Sequence, residues 1–182
     1  MDNTQTNSPT LLSIALKWGA IWGLTGIIMT VLSPMLMEMS SGYLLSLVLL
    51  LVTIILVFLF QYKAIHEYRS AQADGYITYG KAFQVAFMTS LISVLILTLY
   101  TFINYTFITD IAVESQQMLD KQIKMMKESG ADEEKIKQSI AMTKKFSGLS
   151  SKIIATVVFG LIFDTIVSLI TAAILKKSPA ND

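Results

Sequence analysis

Four long apolar runs dominate this chain and leave little choice of fold. The first extends from about Leu11 to Met37, with Lys17 as its only charge. The second, Leu44 to Tyr62, is uncharged throughout. The third spans about Ala82 to Ile108, also uncharged, and the fourth runs from about Ile153 to Leu175, interrupted by Asp164. A helix needs about 20 apolar residues to cross the bilayer core. In lipid the backbone must satisfy its own hydrogen bonds, so uninterrupted runs of this length are helices. Trp18, Trp22, Tyr43, Tyr62, Tyr100 and Tyr105 fall toward the ends of the runs, where amphipathic rings meet the headgroups. The expected fold is all-α: one membrane domain over residues 1–182, a four-transmembrane-helix bundle with an extramembrane helical hairpin at about 110–152, between the third and fourth spans.

Composition agrees. Apolar residues make up 53% of the 182 and charged residues 15%, against roughly 25% charged in soluble domains. Mean hydropathy is +0.59, more apolar side chain than a soluble core of this size can hide, so the lipid bilayer is the first partner. Fourteen Lys and Arg against thirteen Asp and Glu give a net charge of +1, which argues against nucleic acid, whose binders carry a basic excess. Cysteine is absent, excluding disulfides, thiolate metal sites and a cysteine nucleophile. His66 is the one histidine, so zinc sites and Ser–His–Asp catalysis have almost no material. No span pairs two carboxylates or places a Lys at the bilayer centre. A non-enzymatic protein is therefore expected, with no catalytic residue, no cofactor and no metal site. The opening MDNTQTNSPT has an acid, no early basic residue and no cleavage-type small residues after the apolar run, and is expected to be a polar tail and not a cleavable signal peptide.

Within the first span, Gly19 and Gly23 form a GxxxG pair with Gly26 close to the same face, a pattern that lets two helices approach closely. Pro34 is expected to kink or stop this helix, with Glu38 and Ser40 to Gly42 forming a tight turn. The second half of the third run, LYTFINYTFIT, is polar and aromatic, and either tilts or stands out of the membrane. Gln61 to Lys81 is expected to be a polar interfacial connector punctuated by Gly75 and Gly80, with His66 and Glu67 adjacent in it.

Asp110 to Lys152 is the one sizeable polar excursion, with eight Lys and seven Asp or Glu. Ala112 to Ser129 and Asp132 to Ser147 are predicted helices broken at Gly130. Asp132, Glu133 and Glu134 suit the positive end of the second helix. Leu119, Ile123 and Met126 recur at i, i+4 and i+7, and Ile136 and Ile140 continue an apolar stripe. Each helix is near the ~12–15 residues below which isolated helices are marginal in water, so the two are expected to pack as a hairpin. Those five residues are the candidate partner contacts, with Met125 widening the stripe.

Asp164 is the expensive residue. An Asp at the centre of a spanning helix costs about 2.5–3.5 kcal/mol on the insertion scale, and such residues face the bundle interior or a wet cavity. Its candidate partners on the third span are Asn104, Tyr105 and Tyr100, with Thr89, Ser90 and Ser93 deeper. Either Asp164 is a hydrogen-bonding tie between helices, or it is an ion or proton site. Two functions follow. The first is a structural or interaction protein whose 110–152 hairpin contacts a second copy or an envelope partner. The second is a small transporter or channel subunit working through Asp164. Four spans put both termini on one side; Lys17 and the Lys176–Lys177 pair place that side in the cytoplasm, against a literal Lys and Arg count that favours the hairpin side.

Four pieces of the chain carry a resemblance: Ala15-Leu16-Lys17-Trp18-Gly19; Tyr68-Arg69 followed by Gly75-Tyr76-Ile77-Thr78-Tyr79-Gly80-Lys81-Ala82-Phe83; the Met125–Phe146 excursion closing on Met142-Thr143-Lys144-Lys145-Phe146; and Ala172-Ala173-Ile174-Leu175-Lys176-Lys177. In order and spacing the chain resembles the DUF4199 family of bacterial membrane proteins, common in Bacteroidetes and of unknown function. The resemblance implies a multi-pass protein of the bacterial inner membrane with four spans. It supplies no catalytic or ligand residue, and implies structural roles for Tyr68, Arg69, Gly75 and Gly80.

Overall fold

The computed structural model describes residues 9–39, 43–72 and 74–177. Apart from one isolated β-bridge, their regular structure is helical: α1 Leu11–Met39, α2 Tyr43–Gln72, α3 Tyr79–Ile103, a π-helical turn Asn104–Ile108, α4 Ile111–Glu128, α5 Glu133–Lys145 and α6 Leu149–Leu175. Four of these, α1, α2, α3 with its π-helical turn, and α6, are long and apolar enough to cross a membrane. The chain is a multi-pass membrane protein.

Two elements differ from expectation. α1 does not stop at Pro34 but runs through it to Met39. Proline removes the N–H that would reach the Thr30 carbonyl, and spanning helices tolerate such a loss where neighbouring helices or local adjustment re-satisfy the freed group. The second difference is α2, which continues well past Tyr62 to Gln72, so most of the expected connector is helix. The cause is a buried face: Gln61, Ala64, Ile65 and Tyr68 are all under 9% exposed and recur at helical spacing. What remains of the connector turns at Asp74 and Gly75, both at positive φ (46° and 83°). Ile77 and Lys177 then exchange two backbone hydrogen bonds of 2.9 Å. The expected turn at Ser40 to Gly42 and the Glu38 side chain lie outside the described residues.

The chain divides into two compact units, one comprising residues up to Leu97 and from Phe159 onward, the other Thr98–Val158. In the first, α1, α2, the front of α3 and the back of α6 pack together, consecutive spans running in opposite directions. Ala15, Ala64, Ala82, Ala86 and Ala172 are fully buried at the contacts. Their outward faces carry exposed Leu24, Ile28, Leu51, Leu95 and Ile162. Lipid is as apolar as leucine, so the bundle is held by close approach and interhelical polar contacts. In α1, an ideal Cβ on Gly19 would lie 2.5 Å from the Thr89 carbonyl oxygen, one on Gly23 2.9 Å from Ile96 Cβ, and one on Gly26 3.1 Å from Leu97 Cδ2. The three glycines are the face that α1 lays on α3.

In the second unit, Asp110 caps α4 by accepting from the N–H groups of Ala112 and Val113. Gly130, at φ +75°, ends α4 in a Schellman arrangement: its N–H reaches the Lys127 carbonyl and that of Ala131 the Met126 carbonyl. Gln122 clasps α5, donating to Ser139 Oγ and accepting from Thr143 Oγ1 at 2.8 and 2.9 Å. Glu114 on α4 accepts from Tyr105 Oη and from Lys152 Nζ, both at 3.0 Å.

Candidate intramembrane polar site

The site begins with Gln61, which lies in the last turn of the uncharged stretch of α2 and is 1% exposed. Its Nε2 donates to Ser90 Oγ on α3 and to Ser168 Oγ on α6, each at 2.9 Å. One side chain thus ties three spans together and sets their register. Both amide hydrogens are consumed, leaving the carbonyl end of the amide, Oε1, buried with no partner.

Around this hub lies a layer of small polar side chains. Ser90 and Thr89 are each 1% exposed, Ser93, Ser168 and Thr171 are fully buried, and Asp164 is 5% exposed. Asp164, Ser168 and Thr171 fall at i, i+4 and i+7, one face of α6. Thr89 satisfies itself on the Val85 carbonyl at 2.8 Å. The hydroxyls of Ser93 and Thr171 have no partner, so every orphaned buried side-chain polar atom found among the described residues belongs to this layer.

Asp164 itself takes part in no hydrogen bond or ion pair among the described residues. The interhelical tie that is one of the two roles open to Asp164 is made by Gln61 instead. Asn104, the other candidate polar residue, sits in the π-helical turn, where its Oδ1 accepts from Thr109 Oγ1 at 3.3 Å. Sequence reasoning passed over Gln61 because a glutamine at the end of an apolar run reads as the start of an exterior segment. The available signal was its helical spacing with Val57, Ala64, Ile65 and Tyr68.

The helix-packing candidates Gly19 and Gly23 sit on α3 at the level of Thr89 to Ile96. Among the hairpin candidates, Leu119 and Ile136 are buried, while Ile123, Met126 and Ile140 are half-buried. Lys17, fifty residues away in sequence, pairs with Glu67 at 2.8 Å, and Trp18 Nε1 donates to the same carboxylate oxygen at 2.8 Å. Glu67 is thereby occupied, and His66 packs against the Tyr62 ring, centroids 5.9 Å apart. No group of three or more His, Cys, Asp or Glu placed to hold a metal ion occurs among the described residues.

No curated protein and no solved structure matches the chain. The model of one family, described as a protein of unknown function (DUF4199), matches residues 17–177. With most of its length in that match, the chain belongs to the DUF4199 family.

Proposed function

We propose that this protein is a small, non-enzymatic transporter or channel subunit in which Asp164 is the residue that carries an ion or a proton. One observation carries this reading: Asp164 is buried in a spanning segment without a hydrogen-bond or ionic partner, beside a layer of orphaned oxygens. A carboxyl group used only to hold helices together would be expected to make that contact, since unpartnered polar groups in lipid cost several kcal/mol, roughly. Ionisable groups retained inside a membrane mark ion and proton pathways.

The test is flux. The purified chain is reconstituted in liposomes of phosphatidylethanolamine and phosphatidylglycerol that enclose a pH- or Na+-sensitive dye. Wild-type protein is expected to dissipate an imposed gradient faster than protein-free liposomes, and Asp164→Asn to return to the protein-free rate. Equal rates for wild type and Asp164→Asn would sink the proposal.

The hairpin-contact reading stands second, on Met118, Met125, Met142 and Phe146, which are 50–68% exposed on α4, α5 and the residue capping α5. Adaptable methionines suit a contact surface, with a second copy or an envelope protein as its partner. For location, we propose the bacterial inner membrane with cytoplasmic termini, supported by Lys176 and Lys177 directly after the last span. Single cysteines at Ser70 and Ser129, both exposed, test the orientation in intact cells with a membrane-impermeant maleimide. Labelling is expected at Ser129→Cys alone; labelling at Ser70→Cys alone reverses the orientation.

A further inference from the structure

We propose that Gln61, Ser93 and Asp164 form a binding site for a dehydrated monovalent alkali cation, with Na+ as the probe ion. The inference deepens the reading of Asp164 as the ion-bearing residue and rests on it.

The register places Ser93 and Asp164 at one depth, about a turn from Gln61. Gln61 Nε2 touches both Ser90 and Ser168, which puts those serines at one depth. A Cβ on Gly160 of α6 would lie 3.1 Å from Val94 Cγ2 of α3, so α3 and α6 run antiparallel: later residues of α3 meet earlier residues of α6. Ser93 lies about 4.5 Å along α3 from Ser90, and Asp164 about 6 Å along α6 from Ser168, at ~1.5 Å rise per residue. Because the helices are antiparallel, both displacements point the same way. Ser93 and Asp164 therefore share the layer next to Gln61, on the face where each is buried.

The chemistry of that layer is one-sided. Gln61 has spent its donors and offers a carbonyl oxygen, Asp164 offers carboxylate oxygens, and Ser93 offers an uncommitted hydroxyl. An ordered water needs about 2–4 polar partners that balance its donors and acceptors, and this set is rich in acceptors. Carboxylate, carbonyl and hydroxyl oxygens are ligands for hard cations. The charge selects the valence. Asp164 is the one acidic residue of α6, and Glu67, the acidic residue of α2, is committed to Lys17 of α1. A single negative charge is neutralised by a monovalent ion, whereas a divalent ion would leave a net charge stranded in a medium where unpaired charge is prohibitively costly. Binding is an exchange: Asp164 gives up its proton as the cation arrives, so the site stays neutral in both states. An exchange of this kind lets one residue serve either ion in turn.

The experiment follows the carboxyl group directly. Purified full-length protein is treated with a hydrophobic carbodiimide, which couples to a protonated carboxyl, and the adduct at Asp164 is quantified by mass spectrometry in choline, Na+, K+ or Ca2+ chloride. Na+ at about ten times its Kd is expected to slow labelling about tenfold relative to choline. Ser93→Ala is expected to raise the Na+ concentration for half-protection by about tenfold or more, with the thermal midpoint unchanged because that hydroxyl has no partner to lose. A merely structural Ser93 leaves the protection curve where it was. Protection by K+ as well as Na+ supports an alkali-cation site. Labelling at Asp164 that no monovalent cation slows, or that only Ca2+ slows, overturns the cation site and leaves the proton reading intact. An Asp164 that stays unlabelled under every condition overturns both.

Discussion

Gly19→Ala is expected to be the most damaging single-methyl addition in the first unit, lowering stability by about 3 kcal/mol, the upper part of the usual overpacking range. The new Cβ would sit 2.5 Å from the Thr89 carbonyl oxygen and 2.8 Å from Ile92 Cβ. The first is backbone and the second is the branch point of a β-branched residue, so neither can swing aside and α1 must move off α3. The same change at Gly26 meets only the end of Leu97, with 3.1 Å to Cδ2, and should cost well under half as much. Gly23, opposed by Ile96 Cβ at 2.9 Å, falls between. Thermal midpoints of the three variants in one detergent, followed by tryptophan fluorescence, check the order. A Gly19→Ala protein as stable as wild type, beside a weakened Gly26→Ala, would mean that α1 does not meet α3 through this face.

Asp164→Leu is expected to act in the opposite direction and stabilise the protein by about 1–3 kcal/mol, the cost of a buried polar group without a partner. The insertion scale points the same way, at roughly +2.5 to +3.5 kcal/mol for Asp against about −0.3 to −0.6 for Leu at a helix centre. An increase in thermal midpoint joined to a loss of flux is the pattern of a residue retained for function at the expense of stability. A lower midpoint would instead make Asp164 a structural tie whose partner outweighs its burial, and the proposed function would fall with it. Gln61→Leu provides the contrast. Gln61 bridges two helices, and its replacement should loosen the bundle.

What can be read along the chain here is what depends on neighbours in sequence. The four spans follow from the transfer free energy of consecutive side chains, and the hairpin from helical periodicity with an acidic start and a Gly130 stop. The cost of Asp164 is equally local, since it attaches to the residue and its depth. Partnerships are different, because they are set by how helices distant in sequence slide against one another. Nothing in the neighbourhood of Lys17 announces Glu67, and nothing near Glu114 announces Lys152. The spacing of Gly19, Gly23 and Gly26 is visible in the sequence, yet only the packed helices say that α3 is what they meet.

The polar site shows the division most clearly. Residue type and depth along the fourth run are enough to place one carboxyl group inside the membrane, with serines and threonines of the third span available to it. Helix packing is what gives Gln61 one of those serines, Ser90, together with Ser168 of α6, and leaves Asp164 unpaired. The reason is register. α2 continues as a helix past Tyr62 because Ala64, Ile65 and Tyr68 have a surface to bury against, and Gln61, on the same face, lies in the interior with them. Once there, an amide with two hydrogens to donate is committed between α3 and α6, and Asp164, one turn along α6 from Ser168, is left without a partner.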